Sequence, residues 1–461
     1  MRKILAILAA LAVGQFALAN STMTTSAELR ARGEAWANTT GNKDNGKTTN
    51  MITQRLKLGL DFNAGEKFSA HVTAIHNSDW GQAVGGKTDS TNDSGLATHD
   101  GTGDAQNLLT VDEAYGTWVV SDSTAIRFGR GSFQIADGSV VGTNDWEDHP
   151  TSYEGMLFTH DMEFGRGSLF YVRTNDWAAA DSIFQQDAEA GVWGLSFDIK
   201  SVPDMIKMLN VHILKVHSDE FVTTGGASHA GLDAMRYGLT VAGETSGIDF
   251  KLTYAMDSGE NKRDLRFGDT TMNDDISANM MDVNLGYTMA AMMNFHVGLM
   301  YHSDTGCDAA CQTKKKDQTV KEATDEYTPF FYNIHENGGQ MDVFKWGNLT
   351  YTGLNLHLMP MDDLSVGLNY IILAQTQKEG GFTTGRGGAA LNCNAGCDNA
   401  ATESALGTEI DLWAKKKYDN GFSILARYGQ FAPGDEFKSA TAANDMKDTI
   451  SEMFLEAMMT F

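Results

Sequence analysis

Apolar and polar residues alternate with a period of two along most of this chain. Leu56, Leu58, Leu60 and Phe62 interleave with Arg55, Lys57, Gly59 and Asp61. Ile248, Phe250, Leu252 and Tyr254 interleave with Asp249, Lys251 and Thr253. Near the C-terminus, Ile410, Leu412 and Ala414 alternate with Glu409, Asp411 and Lys415. After the turn signal Asp419-Asn420-Gly421 the pattern resumes, with Phe422, Ile424, Ala426 and Tyr428 against Ser423, Leu425, Arg427 and Gly429. A period of two sends successive side chains to opposite faces of a strand, so each strand meets an apolar medium on one side and a polar one on the other. Such runs number about 18. They begin near Glu28, Met51, Phe68, Leu108, Thr124, Tyr153, Ser168, Gly191, Lys207, Met235, Ile248, Asn279, Asn294, Trp346, Leu364, Gly407, Gly421 and Met453.

The connections decide which medium is which. Short ones, such as Asn63-Ala64-Gly65-Glu66, Gly165-Arg166 and Thr245-Ser246-Gly247, alternate with long polar ones. The long ones run from Asn77 to Asn107, Gly131 to Ser152, Asp257 to Ala278, Ser303 to Lys345 and Gln375 to Leu406. Short periplasmic turns alternating with long extracellular loops mark an outer-membrane barrel. The predicted fold is all-β: a single transmembrane antiparallel β-barrel of about 18 strands (16–18). Its apolar face meets lipid and its charged face lines a polar lumen. A soluble sandwich would bury the apolar face but gives no reason for the loop asymmetry.

Composition agrees. Only 5 prolines occur among 461 residues, where average usage gives about 20. Proline cannot donate to a strand ladder, so a chain of paired strands avoids it. Mean hydropathy is −0.29, and no stretch reaches the 18 consecutive apolar residues of a membrane helix. The start MRKILAILAALAVGQFALAN carries Arg2 and Lys3, an apolar core from Ile4 to Phe16 and an Ala17-Leu18-Ala19 cleavage site. Residues 1–19 are therefore expected to be a cleaved signal peptide, and residues 20–461 the barrel. Phe461 ends a final alternating strand, Met453, Leu455, Ala457 and Met459, and resembles the signal read by the outer-membrane assembly machinery.

Charge and cysteines narrow the chemistry. The net charge is −25, with acids gathered in loops, as at Asp79, Asp89, Asp93, Asp100 and Asp104. The polar strand faces carry bases instead: Arg30, Arg32, Arg55, Lys57, Arg127, Arg236, Lys251, Lys415 and Arg427, with Glu409 and Asp411 among the interleaved acids, and Arg130 is counted with them on the solute path. As a cluster these residues point to a solute path that favours anions; singly, each could pair across strands and stiffen the wall. Cys307 and Cys311, and Cys393 and Cys397, form two C-x3-C pairs in outer loops. Export makes disulfides the default, with connectivity open, and the spacing does not suit zinc. Asp89 to Asp100 lacks the EF-hand ligand spacing, so no metal site is expected. No G-x-S-x-G or H-E-x-x-H occurs. Gly101-Thr102-Gly103 and Gly129-Arg130-Gly131 do not join a strand to a helix, so neither is a phosphate loop. Neither an enzyme nor a cofactor protein is expected.

Two segments resemble the alginate-export family of outer-membrane barrels. One is Phe128-Gly129-Arg130-Gly131 followed by SFQIADGSVVGTNDWEDHPTSYEG; the other is LGTEIDLWAKKKYDNGFSILARYGQFAPGDEF, with the terminal LEAMMTF. Arg130, Asp145, Trp146, Glu409, Asp411 and Arg427 occupy family-like positions. Gly131 stands where the family has Gln, Glu154 where it has Asp, and Thr151 where it tends to have Arg. The resemblance implies an 18-stranded monomeric barrel. Taken together, the expectation is a Gram-negative outer-membrane porin for small hydrophilic solutes, anionic ones among them. The alternatives are a dedicated exporter of an anionic polysaccharide such as alginate, or a non-conducting surface barrel or adhesin. Expected partners are outer-membrane lipids, lipopolysaccharide, the assembly machinery and small solutes, and no nucleic acid.

Overall fold

The computed structural model describes residues 21–43, 48–80, 109–177, 188–218, 221–222, 228–229, 231–262, 274–306, 327, 332–335, 338–378, 391, 404–438 and 446–461. The four cysteines and the leader lie outside the described residues, as do the acids at Asp89, Asp93, Asp100 and Asp104.

Twenty strands follow one another: β1 (Ser21–Ala37), β2 (Thr49–Ala64), β3 (Phe68–Asp79), β4 (Leu109–Ser121), β5 (Thr124–Gly131), β6 (Tyr153–Met162), β7 (Gly165–Trp177), β8 (Ala188–Ile199), β9 (Ile206–Ser218), β10 (Phe221–Val222), β11 (Ser228–His229), β12 (Gly231–Thr245), β13 (Ile248–Lys262), β14 (Asp274–Met289), β15 (Phe295–Asp304), β16 (Leu349–Met361), β17 (Leu364–Gln375), β18 (Ala405–Lys417), β19 (Phe422–Pro433) and β20 (Ile450–Thr460). β10 and β11 form a separate hairpin in a loop. The other eighteen make one antiparallel sheet in which each strand pairs with its neighbours, and β20 returns to pair with β1. Closure leaves no unpaired edge, which the lipid interior requires of any sheet that crosses it.

Several strands start earlier than the apolar alternation indicates. β1 begins at Ser21 rather than near Glu28, and β14 at Asp274 rather than near Asn279. The added residues STMTTS and DDISA lack a repeated apolar face, yet their backbones still pair with the neighbouring strands. Ladder hydrogen bonds need no greasy side chains, so the sheet extends past the lipid. At Trp346 the reverse holds: β16 starts at Leu349, and Trp346 lies buried before it, stacked on His302 at 4.2 Å and Tyr332 at 4.7 Å. Pro360 sits where the β16–β17 register slips and Pro433 is the last residue of β19, places where a missing N–H is tolerated.

Leu29, Leu58, Phe128, Leu169, Leu285, Leu299, Leu412 and Leu455 are exposed on the outer face. Aromatic residues gather at the short-turn end of that face, as in the stacked pair Phe68–Trp118 and the tilted pair Tyr418–Phe422, and a further tilted pair, Tyr171–Trp193, lies midway along β7 and β8. Buried side chains lie inside the barrel. There Phe170 packs on Phe133 at 4.7 Å, and Phe133 on Tyr153 at 4.9 Å. Phe170 also lies over Gly194 on β8, where an added Cβ would fall 1.9 Å from its ring. Gly194→Val is therefore expected to destabilise the barrel by about 1–3 kcal/mol through overpacking. The check is the temperature at which the compact band is lost in detergent gel electrophoresis, with Phe170→Leu in the same chain restoring part of the loss.

Candidate functional site

Two connections fold into the lumen. The first, residues 132–152, follows β5; the second includes residues 332–348 and precedes β16. They clasp each other. The Asn144 backbone N–H donates to Asn333 Oδ1 at 2.9 Å, and the Ile334 N–H donates to Asn144 Oδ1 at 2.8 Å. The Asn333 N–H donates to the Gly138 carbonyl at 2.9 Å. Trp146 and His335 stack face to face, with ring centroids 3.6 Å apart.

The wall bases hold the first loop. Arg30 donates to the Asp145 and Glu147 carbonyls at 3.1 and 3.0 Å, and to the Asp148 carboxylate at 2.9 Å. Arg55 donates to the same two carbonyls at 2.8 and 2.7 Å while pairing with Glu28 at 2.7 Å. Arg32 donates to the Trp146 carbonyl, pairs with Glu456 at 2.7 Å and places its guanidinium 3.9 Å from the Trp146 ring. Lys57 pairs with Asp145, Lys251 with Asp137 at 2.8 Å, and Arg127 donates to the Ser132 carbonyl at 2.7 Å. Charged hydrogen bonds in a water-poor interior are each worth about 1.5–3 kcal/mol, and the alternative of an unpaired buried guanidinium costs more.

Acids of the wall hold the second loop. Glu409 accepts the Met341 N–H at 3.0 Å, and Asp411 accepts the Gln340 N–H at 3.3 Å. Gly339 makes this approach possible. Its φ is +121°, and a Cβ there would lie 2.2 Å from a Glu409 oxygen. Asp304 accepts the N–H groups of Gly347 and Leu349 at 2.7 and 2.6 Å. Arg236 pairs with Asp257 through two 2.6 Å hydrogen bonds and faces Tyr327 at 4.4 Å. Arg427 pairs with Glu452 at 2.8 Å.

One expected lumen residue lies elsewhere. Arg130 shares its face of β5 with Phe128, which is exposed to the outside. It points outward at the loop end, pairing with Glu154 at 3.3 Å and donating to Ser152. Alternation itself puts Arg130 on the apolar face, with Ile126 and Phe128 and opposite Arg127, so its expected place in the lumen went against that parity. The other eleven expected path residues face inward. Most of them touch an inward loop or a neighbouring strand, and Lys415 has no ion-pair partner among the described residues. Sequence reading missed Glu28, Glu452 and Glu456, although their alternation with outward residues marks them. It also missed Asn144, Asn333 and His335, which no periodicity could indicate.

Between the loops and the wall a cavity of about 390 Å³ remains, lined in part by Arg30, Arg32, Arg55, Lys415 and Arg427, with Asp145, Trp146, His335, Trp413 and Glu456. Five cationic side chains face two carboxylates.

A family model described as alginate export matches residues 22–450. The chain belongs to the alginate export family. It is a Gram-negative outer-membrane channel, as the family and the barrel together indicate. Among solved structures, OccK8 (OprE) of Pseudomonas aeruginosa is similar with a TM-score of 0.58 at 11% identity, covering 95% of this chain and 98% of that one. OccAB1 of Acinetobacter baumannii is similar with a TM-score of 0.58 at 12% identity, covering 95% and 96%. At such identities the likeness is one of fold. No curated protein sequence matches the chain. Within the family's shared barrel, the matched Asp145-Trp146 stretch is the segment clamped to the wall.

Partial burial raises the Asp145 carboxyl, but Arg55, Lys57 and Arg30 outweigh it and hold it below the ordinary 3.8. A depressed carboxyl stabilises its contacts above its unfolded pKa and loses them as pH falls through the folded value. The Asp145 tether is thus fully present at neutral pH and is lost only below about pH 3.8. Asp145→Asn is expected to give, at pH 7, the higher or noisier single-channel conductance that the native channel reaches only under that acid condition.

Proposed function

We propose that the protein is a diffusion channel for small hydrophilic anions, and that solutes pass the cationic cavity beside the inward loops. The observation that carries this reading is Lys415, which lines that cavity with no ion-pair partner among the described residues, beside four guanidinium groups that face the same space while each is paired with a carboxylate. Oriented positive charge in a narrow passage lowers the barrier for anions and raises it for cations. Trp413 adds flat apolar surface beside the charges, where a ring-bearing solute would rest, while Trp146 is covered by His335 and Arg32.

Export of an anionic polysaccharide is the second reading, favoured by family membership. Against it stand the clasped loops, which among the described residues leave beside them a cavity of small-molecule size. Millimolar oligouronate blocking small-ion current from one side would favour the polymer.

Transport rather than catalysis is proposed. Thr73, His71 and Asp61 do form a hydroxyl–imidazole–carboxylate sequence at 2.7 Å per step, but Thr73 is only 7% exposed and Glu113 also approaches His71 at 3.3 Å. Cleavage after Ala19 and contact of the outer face with lipopolysaccharide belong to the same proposal. So does recognition of the last strand by the assembly machinery: Phe461 is exposed and its backbone pairs with Ala27 on β1.

Lys415→Glu is expected to lower anion over cation permeability severalfold, read as a shift of reversal potential in a salt gradient across a planar bilayer. An unchanged reversal potential would place Lys415 off the conducting path. Phe461→Ala is expected to reduce the amount of barrel reaching the outer membrane while leaving the melting temperature of assembled protein within a few degrees. The checks are membrane fractionation and thermal denaturation of purified barrel.

A further inference from the structure

We propose that two adjoining turns at the short-turn end of the barrel form a thioether site for a soft monovalent cation of the copper(I) class. One is the β14–β15 turn, where Met289, Met292 and Met293 lie in the run MAAMMN. The other is the end of β16, where Met359 and Met361 flank Pro360. The two are joined: the Met359 N–H donates to the Met293 carbonyl at 2.8 Å, and Asn294 Nδ2 lies 4.0 Å from the Met359 sulfur. Short turns face the periplasm in an outer-membrane barrel, so the site is open to that compartment.

Four features set this cluster apart. First, Met292, Met293 and Met361 are 56%, 57% and 50% exposed, although their side chains would gain by burial. Other exposed methionines, such as Met156 and Met453, are placed singly among the outward residues of their strands. Second, Met293 and Asn294 both hold left-handed backbone, with φ of 56° and 51°. A consecutive pair without glycine is disfavoured, and such strain concentrates at functional positions. Third, the register slip between Leu358 and Met361 takes Met359 out of the β16–β17 ladder, bringing it to the neighbouring turn. Fourth, methionine is long and flexible, so sulfurs from adjoining turns can converge on one ion.

Ligand softness sets the class of ion. Thioether sulfur selects copper(I), whereas calcium, magnesium and manganese take carboxylate and water oxygen. Nearby Asp363 is engaged by Lys416; Asp362 is also exposed beside Met361, and the thioethers of the two turns outnumber that carboxylate. A thioether carries no proton to lose near neutral pH, so binding through these sulfurs is independent of pH. His296 and His357 stack at 4.5 Å on the lumen side, two residues inward from Asn294 and Met359; binding through imidazole would weaken on acidification.

The test uses the purified full barrel in detergent, titrated with silver(I), or with copper(I) against a chromogenic chelator. One equivalent is expected to be retained, with affinity unchanged within about twofold between pH 7.5 and 5.5. Replacing Met292, Met293, Met359 and Met361 by leucine, which keeps the volume, is expected to weaken binding at least tenfold. The compact band in gel electrophoresis confirms that this variant is folded. Each two-residue variant, M292L/M293L or M359L/M361L, is expected to weaken binding as well, because the site is shared; these carry the comparison if the fourfold variant does not fold. Equal binding by the leucine variants, no binding by the native barrel, or loss of binding at pH 5.5 overturns the proposal.

Discussion

The structure depends on charge pairing between a barrel wall and the chain folded inside it. An 18-stranded barrel left empty would be a wide bore. Here guanidinium groups on β1 and β2 grip the carbonyls of Asp145, Trp146 and Glu147, and carboxylates on β18 grip the N–H groups of Gln340 and Met341. The two sets are complementary. A loop inside a lumen has backbone donors and acceptors that no strand satisfies, and the wall supplies the opposite of each. Removing one partner strands a buried charge, so the interior stays ordered through mutual need.

This changes what the lumen bases do. A row of arginines in a channel suggests a track for anions, and a paired arginine suggests a stiff wall. Here Arg30, Arg32 and Arg55 do both: they use several N–H groups on the loop and still face the cavity that the loop leaves. Arginine suits this double duty because its planar fork offers five donors in fixed directions and never loses its charge. Lys57 and Lys251, with a point charge each, end on one loop carboxylate apiece, Asp145 and Asp137, and Lys251 pairs besides with Asp282 of β14.

The clasp between the loops matters as much. The Asn333 side chain accepts the Asn144 N–H, the Asn144 side chain accepts the Ile334 N–H, and Trp146 on His335 extends the contact into a flat stack. Arg32 covers the other part of the Trp146 ring. Each loop is thus held to the wall on one side and to its partner on the other, which fixes where the remaining cavity can be.

Alternation along the chain determined the barrel, its strand number and most of its inward and outward assignments, because lipid and water on opposite faces force a period of two. It fell short at the ends of β1 and β14, where backbone pairing continues beyond the lipid; Arg130, expected on the path against the alternation, follows Ile126 and Phe128 outward. The identity of the wall charges was also legible. Their targets were not. Which loops turn inward, which carbonyl meets Arg55 and which ring lies on Trp146 join residues 90 or more positions apart in irregular segments, with no repeat to announce them. Only the folded chain brings those groups within hydrogen-bonding distance, because the position of an inward loop is set by everything it touches at once.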